Sequence, residues 1–253
     1  MMRGTSKTIP AKRLDWQKLA VSLVPAIVIW SICLGASPVP DAPASTTLVE
    51  ISKCTTDIVL DIRYATTNNF TGKVVYPNSR CFLSKDAACA LDTVQSELKS
   101  QGYRLKVFDG YRPLSVQWIF WKILPDPRFV ADPRVGSRHN RGYAVDVSLV
   151  TLDGAEVAMP TEYDDFTEHA RFDFAGIPEE ARKNRAILRE TMEKNGFEHF
   201  ETEWWHFDYR GWQDKPLMDA AFDKIPEANP PCDCSQPGKN NDPVKVPRNA
   251  ATP

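Results

Sequence analysis

Histidine is scarce in this chain, and neither sign of charge prevails. The 253 residues include 4 histidines, so each one can be weighed separately as a metal ligand. The 31 basic and 33 acidic side chains leave a formal net charge of −2. This balance gives no positive surface for nucleic acid and excludes that functional class. We also find no internal repeat, which excludes a repeat architecture.

The composition that remains is that of a globular protein. Hydrophobic residues make up 42% of the chain and charged residues 25%, enough for one good core. We expect the folded domain at residues 48–225. A Pro/Ala/Ser/Thr-rich linker precedes it at residues 37–47. A tail rich in Pro, Asn, Asp and Lys follows at residues 226–253, and we expect this tail to be disordered.

A long apolar run lies near the beginning of the chain. It extends from Leu19 to about Ala36 and follows a basic segment. This order is typical of a secretory signal, although the run nearly reaches the ~20 residues of a membrane-spanning helix. We therefore expect residues 1–36 to be a signal peptide or a membrane anchor. The protein is then exported, either periplasmic or anchored to the inner membrane, and its contact with membrane is limited to that anchor.

The cysteines are compatible with an oxidising compartment. Removal of a signal containing Cys33 would leave an odd number of them, so at least one thiol is unpaired or bonds another chain. An oxidising compartment would allow a bridge between Cys81 and Cys89. Cys232 and Cys234 form a lone Cys-x-Cys, which is a weak metal-binding pattern.

The order of local patterns predicts an α+β fold. Apolar residues at helical spacing, with capping or stop signals at the ends, predict three helices: Ser84–Gln101, Pro113–Ile123 and Pro178–Asn195. Alternating or continuous apolar stretches predict four strands: Ile58–Tyr64, Tyr103–Phe108, Tyr143–Val150 and Phe197–Tyr209. Regular βαβ alternation is missing, which favours α+β over α/β.

A metal site is indicated between residues 136 and 146. His139 precedes Asp146 by seven residues, with Gly142 between them, and the chain then turns apolar and β-branched. We expect a loop that carries His139 and a strand that carries Asp146. Imidazole and carboxylate are both good zinc ligands, and His206 is the best third ligand in the rest of the chain. His169 and His199 are rival ligands, but neither lies in a comparable pattern.

Glu203 lies three residues before His206 and is the candidate general base. A zinc ion with three protein ligands keeps a fourth position for water, and a neighbouring carboxylate can take the proton of that water. Residues three apart on a regular strand point to opposite faces of the sheet. The arrangement therefore requires a bend or a place at the end of the strand. Otherwise Glu203 and His206 are ordinary strand residues.

Arg112 follows a predicted strand and precedes a predicted helix. In a pocket its guanidinium could polarise a carbonyl or hold a carboxylate. The alternative is a structural salt bridge, for example to Asp109. The residues alone favour the salt bridge.

These motifs together resemble a known superfamily. Ser137-x-His139-x-x-Gly142-x-Ala144-x-Asp146 with Glu203-x-x-His206 is similar to the signature of the zinc D-Ala-D-Ala metallopeptidases, which include lysostaphin-like enzymes and the hedgehog fold. Three stretches resemble the VanX-type D-alanyl-D-alanine dipeptidases more narrowly: residues 64–72, 109–113 and 203–206. The resemblance covers about Val49 to Trp212, and it implies a central antiparallel sheet with flanking helices.

The resemblance also implies a role for each site residue. His139, Asp146 and His206 would bind one zinc ion, and Glu203 would be the general base. Arg112 would stabilise the oxyanion, Ser137 would hold the substrate carboxylate, and Tyr64 and Asp164 would bind the free ammonium group. Relatives often have Ser immediately before the first His, where this chain has Arg138.

The implied function is zinc-dependent hydrolysis of the D-Ala-D-Ala dipeptide by metal-activated water. Export would give the enzyme access to dipeptide released during peptidoglycan turnover. One alternative is a D,D-carboxypeptidase or endopeptidase that cuts longer cell-wall peptides. The other is a non-catalytic protein that binds zinc or cell wall. A need for the free amine of the substrate separates the dipeptidase from the carboxypeptidase.

Overall fold

The computed structural model describes residues 47–225 and Cys234. The expected export segment, the linker up to residue 46 and the rest of the tail lie outside the described residues, so their predictions stay untested. Within residues 47–225, no helix is both long and apolar enough to cross a bilayer.

The described chain forms three helices and two β-sheets. The strands are β1 Leu48–Glu50, β2 Val59–Leu60, β3 Phe82–Ser84, β4 Tyr103–Asp109, β5 Ala144–Thr151, β6 Phe197–Phe200 and β7 Glu203–Tyr209. The helices are α1 Lys85–Ser100, α2 Leu114–Ile123 and α3 Glu179–Lys194. The three helices lie where the sequence predicted them, and the α+β fold is confirmed.

The larger sheet has five strands in the order β2-β4-β5-β7-β6. Neighbouring strands in this sheet are antiparallel, except that β2 lies parallel to β4 at one edge of the sheet. β1 and β3 form a separate antiparallel pair. Two strand predictions were wrong in extent. Only Val59 and Leu60 of the first predicted strand pair with the sheet, and Arg63–Ala65 form a 3-10 turn. The last predicted strand, Phe197–Tyr209, is divided into β6 and β7, with Glu201 and Thr202 between them.

The central strand β5 is buried on both faces. All seven residues from Ala144 to Val150 are buried, as the apolar and β-branched sequence requires. The α1 and α3 helices pack against each other and on the sheet. Ser84 begins α1 by accepting a hydrogen bond from the Ala87 backbone N–H, a cap that stabilises a helix by about 1 kcal/mol. The central position of β5 holds its side chains in fixed orientations.

The cysteines pair differently from the bridge considered above. Cys89 forms a disulfide with Cys234, Cys54 is also disulfide-bonded, and Cys81 is a buried free thiol. The proposed Cys81–Cys89 bridge was therefore wrong. Cys81 packs in the core so tightly beside Gly110 that a Cβ there would lie 2.5 Å from its sulfur. Cys89 lies on α1, from where it binds the tail covalently at Cys234.

Candidate metal centre and active site

Three ligand atoms converge where β5 and β7 lie side by side. Asp146 on β5 pairs directly with His206 on β7. His139 lies in a 3-10 turn that ends at Gly142, whose φ of +72° is a left-handed conformation that favours glycine. This turn brings His139 over the ends of the two strands. All three side chains are buried, and among residues 47–225 they form a group that could hold a metal ion.

The spacing of the three atoms fits a tetrahedral zinc ion. His139 Nε2 lies 3.2 Å from His206 Nδ1 and 3.4 Å from Asp146 Oδ1. His206 Nδ1 lies 3.0 Å from the same Asp146 oxygen. Ligands at about 2.0–2.1 Å from a tetrahedral ion stand roughly 3.3 Å from one another. The donor set and its geometry therefore match zinc with three protein ligands.

Hydrogen bonds fix which nitrogen of each histidine faces the metal position. His139 Nδ1 donates to the Gly110 carbonyl at 2.7 Å, which leaves Nε2 free to ligate. His206 Nε2 donates to Asp208 Oδ1 at 2.9 Å, which leaves Nδ1 of His206 free to ligate. Burial lowers the pKa of His206, but the carboxylates of Asp208 and Asp146 outweigh it and raise the pKa to about 10. A proton and a metal ion therefore compete for the same nitrogen.

The bend that Glu203 required is present at the β6–β7 hairpin. His199 pairs with Phe207, whereas the next residue, Phe200, pairs with Glu203, so the extra residues of β7 bulge out of register. Glu203 thus begins β7 on the same side as His206, with its Oε2 4.0 Å from His206 Nδ1. Burial, together with the negative charge of Asp146, raises the pKa of Glu203 to about 8. The higher pKa makes this carboxylate a stronger base.

Arg112 forms the structural salt bridge to Asp109 that its sequence position allowed. Its Nε and one terminal nitrogen donate to Asp109 Oδ2 at 3.1 and 2.7 Å, and the other terminal nitrogen donates to Gln117 at 3.0 Å. Tyr76 and the Gly110 N–H occupy the second oxygen of Asp109. Arg112 also lines the cavity that contains the metal ligands. The buried ion pair therefore holds the guanidinium rigidly at the cavity wall.

Asp164 and Tyr64 contact each other at the wall of the same cavity. Tyr64 donates to Asp164 Oδ1 at 3.1 Å, and the Phe70 backbone N–H donates to Oδ2 at 2.9 Å. Asp164 has a φ of +63°, a strained conformation that turns its side chain inward. Desolvation raises its pKa to about 7. We call Tyr64, Asp164 and the Phe70 N–H the amine cradle, after the role that the sequence resemblance implies for Tyr64 and Asp164.

Ser137 and Arg138 lie beside the first histidine. Ser137 Oγ accepts a hydrogen bond from the His139 backbone N–H at 3.2 Å and lines the cavity. Arg138 Nε lies 3.3 Å from Asp208 Oδ2, and its guanidinium covers the Trp212 ring at 4.6 Å. Arg138 thus holds the carboxylate that orients His206, in addition to lining the cavity.

Every site residue that the sequence predicted lines this one cavity. The set is Tyr64, Arg112, Ser137, His139, Asp146, Asp164, Glu203 and His206. The rival histidines lie elsewhere: His199 bonds Glu193 at 2.7 Å, and the exposed His169 packs on Phe174.

Two functional side chains were missed by sequence reasoning. Asp208 lies two residues after His206, and strand alternation could have placed it on the same face. Tyr163, which bonds Asp146, gave no signal beyond its place next to Asp164.

Comparison with known proteins gives a consistent result. The peptidase M15 family model, described as D-ala-D-ala dipeptidase, matches residues 44–226. The D-alanyl-D-alanine dipeptidase of Escherichia coli K12 is 35% identical over 178 residues, which cover 70% of this chain and 92% of that protein. The D-alanyl-D-alanine dipeptidase of Enterococcus faecalis V583 is 33% identical over 183 residues, which cover 64% and 89%.

Solved structures are more distant. The vancomycin resistance D,D-dipeptidase VanXYg, in complex with a D-Ala-D-Ala phosphinate analogue, shares 19% identity at a TM-score of 0.35. The match covers 66% of this chain and 67% of that chain. The LdcB LD-carboxypeptidase shares 22% identity at a TM-score of 0.36, over 63% and 71% of the two chains.

Proposed function

Since this chain belongs to the peptidase M15 family of D-Ala-D-Ala dipeptidases, we propose that it hydrolyses the D-Ala-D-Ala dipeptide with one bound zinc ion. The observation that carries the proposal is that one cavity is lined by three side chains with the spacing of zinc ligands, by Glu203 next to them and by the amine cradle. A dipeptide has both a free ammonium group and a scissile amide within this short span.

Each of these residues has a separate role in the proposed reaction. His139, Asp146 and His206 would hold the zinc ion, which when bound would supply a Lewis acid and lower the pKa of water. Glu203 takes the proton of the attacking water and delivers it to the leaving amine. Arg112 donates to the oxygen on which negative charge develops, and Asp109 holds the guanidinium in place for that role.

The two ends of the substrate are held by different groups. Asp164 and Tyr64 bind the ammonium end, and Ser137 binds the terminal carboxylate. Arg138 contributes a positive charge on the same side as Ser137. A longer wall peptide has an acylated, uncharged nitrogen in place of the ammonium group. When such a peptide is bound, the Asp164 carboxylate would be buried without a positively charged partner. The cradle therefore favours dipeptides over longer chains.

Export and a role in peptidoglycan turnover are part of the proposal. Disulfides persist in oxidising compartments outside the cytoplasm. The Cys89–Cys234 bond and the disulfide at Cys54 support such a location. In the periplasm, either free or anchored by residues 1–36, the enzyme would meet dipeptide released from the cell wall.

The deciding experiment compares two substrates that differ only at the amine. We expect zinc-loaded protein to hydrolyse D-Ala-D-Ala and to cleave N-acetyl-D-Ala-D-Ala at least about 100-fold more slowly, because a buried unpaired carboxylate costs several kcal/mol. Release of D-alanine measures both reactions. Equal rates would reject the dipeptidase and favour the D,D-carboxypeptidase. No hydrolysis of either substrate by folded, zinc-loaded protein would reject both.

The raised pKa of Asp164 predicts a pH dependence. Only the ionised carboxylate pairs with the ammonium group, and a pKa of about 7 means that this form is lost as the pH falls. We expect kcat/KM for D-Ala-D-Ala to drop about tenfold between pH 8 and pH 6 from this group alone. In Asp164→Asn that part of the profile should disappear, with a lower kcat/KM at pH 8.

Asp165→Asn is the matched control for this prediction. Its carboxylate accepts a hydrogen bond from the Thr167 backbone N–H and does not line the cavity. We expect the control to keep the wild-type profile. Identical profiles for wild type and Asp164→Asn would show that Asp164 does not bind the ammonium group.

A further inference from the structure

The Tyr163 hydroxyl lies directly behind the metal centre. It donates to Asp146 Oδ2 at 2.8 Å, whereas the other oxygen, Oδ1, faces the two histidines. The ring of Tyr163 is buried, stacked on Phe108 at 4.6 Å and edge-on to Trp205 at 5.4 Å. The position of the hydroxyl is therefore fixed by packing on both sides. A donor held in this way keeps Oδ2 occupied and leaves Oδ1 as the ligand atom.

The same hydroxyl is part of a chain of contacts that reaches the amine cradle. Tyr163 Oη lies 3.2 Å from Tyr64 Oη, and Tyr64 Oη lies 3.1 Å from Asp164 Oδ1. Three contacts thus connect Asp146, on the metal side, with Asp164, on the substrate side. Among the described residues, the Tyr64 hydroxyl has no hydrogen bond to any of the three metal ligands. The hydrogen-bonded path from Tyr64 to Asp146 therefore runs through Tyr163.

Proton counting shows why the chain can transmit a signal. The two hydroxyls carry two protons for three contacts. When Asp164 is ionised, Tyr64 donates to it and Tyr163 donates to Asp146, so the contact between the two hydroxyl oxygens has no proton. When Asp164 is protonated, it can donate to Tyr64, which then donates to Tyr163. Hydrogen bonds in such a chain strengthen one another, so the bond to Asp146 differs between the two states.

We propose that Tyr163 is a positioning residue that couples the amine cradle to the metal centre by way of Tyr64 and Asp146. This inference rests on the proposed function, because it takes the three ligands to bind zinc and the cradle to bind the substrate amine. Binding of a free amine at the cradle then changes the hydrogen bond that Asp146 accepts from Tyr163, in addition to holding the substrate.

The first test is the zinc affinity of Tyr163→Phe, measured by competition with a chromophoric chelator in the absence of substrate. The ring and its packing are kept, and only the hydroxyl is lost. We expect the Kd for zinc to rise about 10- to 100-fold, the usual effect of losing such a partner of a ligand. Tyr103→Phe is the control, because it removes a hydroxyl 3.5 Å from Asn184, outside the cavity. Its zinc Kd should equal that of wild type.

The second test is a double-mutant cycle with Tyr64→Phe, which changes no charge. At pH 6, where Asp164 is mostly protonated and Tyr64 donates to Tyr163, this substitution alone should raise the zinc Kd roughly two- to fivefold, because the Tyr163 hydroxyl loses its donor. In the Tyr163→Phe background it should have no further effect. A wild-type Kd for Tyr64→Phe, or effects that multiply in the double variant, would overturn the coupling.

The outcomes separate this inference from the proposed function. If wild-type protein does not bind zinc, the proposed function fails. If wild type binds zinc and Tyr163→Phe binds it equally well, only the positioning role of Tyr163 fails. A Tyr163→Phe protein with the expected loss of affinity should retain the unfolding temperature of the zinc-free wild type, because the ring still fills its place in the core.

Discussion

Removal of zinc is expected to abolish hydrolysis of D-Ala-D-Ala, and one equivalent of zinc per chain is expected to restore it. The three ligand atoms lie 3.0–3.4 Å apart, which is the spacing of ligands around a tetrahedral zinc ion. Zinc return should therefore recover the rate. The measurement is D-alanine release before chelation, after chelation and after addition of zinc. A chelated, metal-free protein that stays active would contradict the metal assignment.

The substitution His206→Ala tests the same metal assignment by removing one ligand. Loss of a direct ligand should weaken zinc binding more than the roughly 10- to 100-fold caused by losing a ligand's partner. Hydrolysis should fall to background at equimolar zinc. His199→Ala is the matched control, since His199 pairs with Glu193 in the last turn of α3 and lies outside the cavity. The control should keep both its zinc and its activity.

Glu203→Gln is expected to lower kcat by roughly 10²- to 10⁴-fold, the usual contribution of a general acid–base group. Glutamine has nearly the shape of glutamate but cannot accept the proton of the attacking water. Glu203 is not one of the three ligands, so zinc content should stay at one ion per chain. The combination of full zinc and lost turnover distinguishes a base from a ligand, and both are measured on the same sample.

Glu201→Gln is the control for this experiment. Glu201 lies in the same hairpin, two residues before Glu203, and its side chain is exposed. Its loss should leave kcat unchanged. A Glu203→Gln enzyme with the wild-type rate would sink the assignment of Glu203 as the base, whereas a variant without zinc would point to a structural role for Glu203 at the metal centre.

Local patterns together with the family resemblance pointed to the candidate metal ligands, but local patterns did not place Glu203. His139, Asp146 and His206 are strong ligand types in a recognisable spacing, and the structure brings them together. Strand periodicity alone placed Glu203 and His206 on opposite faces. The out-of-register bulge of β7 resolves this conflict. A bulge depends on how β6 pairs with β7, and that pairing is not encoded in the spacing of one strand.

Other features depend on contacts between distant parts of the chain. Tyr163 meets Asp146 and Tyr64 only after folding, at sequence separations of 17 and 99 residues. The partner of Cys89 lies 145 residues away, and no local pattern connects Cys89 with Cys234. Helix bounds were easier to predict, because capping signals such as Ser84 act within a few residues of the helix they begin.

The Cys89–Cys234 bond also makes most of the active site part of one covalent ring. All three metal ligands, Glu203 and Asp164 lie between the two cysteines, which are 145 residues apart. A protease that cut the exposed segment 152–156, between Asp146 and Asp164, would therefore release no fragment. The nicked enzyme would keep both parts of its site linked and would migrate as a single species until the disulfide was reduced. Reduction, rather than cleavage, is then the step that allows the two parts to separate.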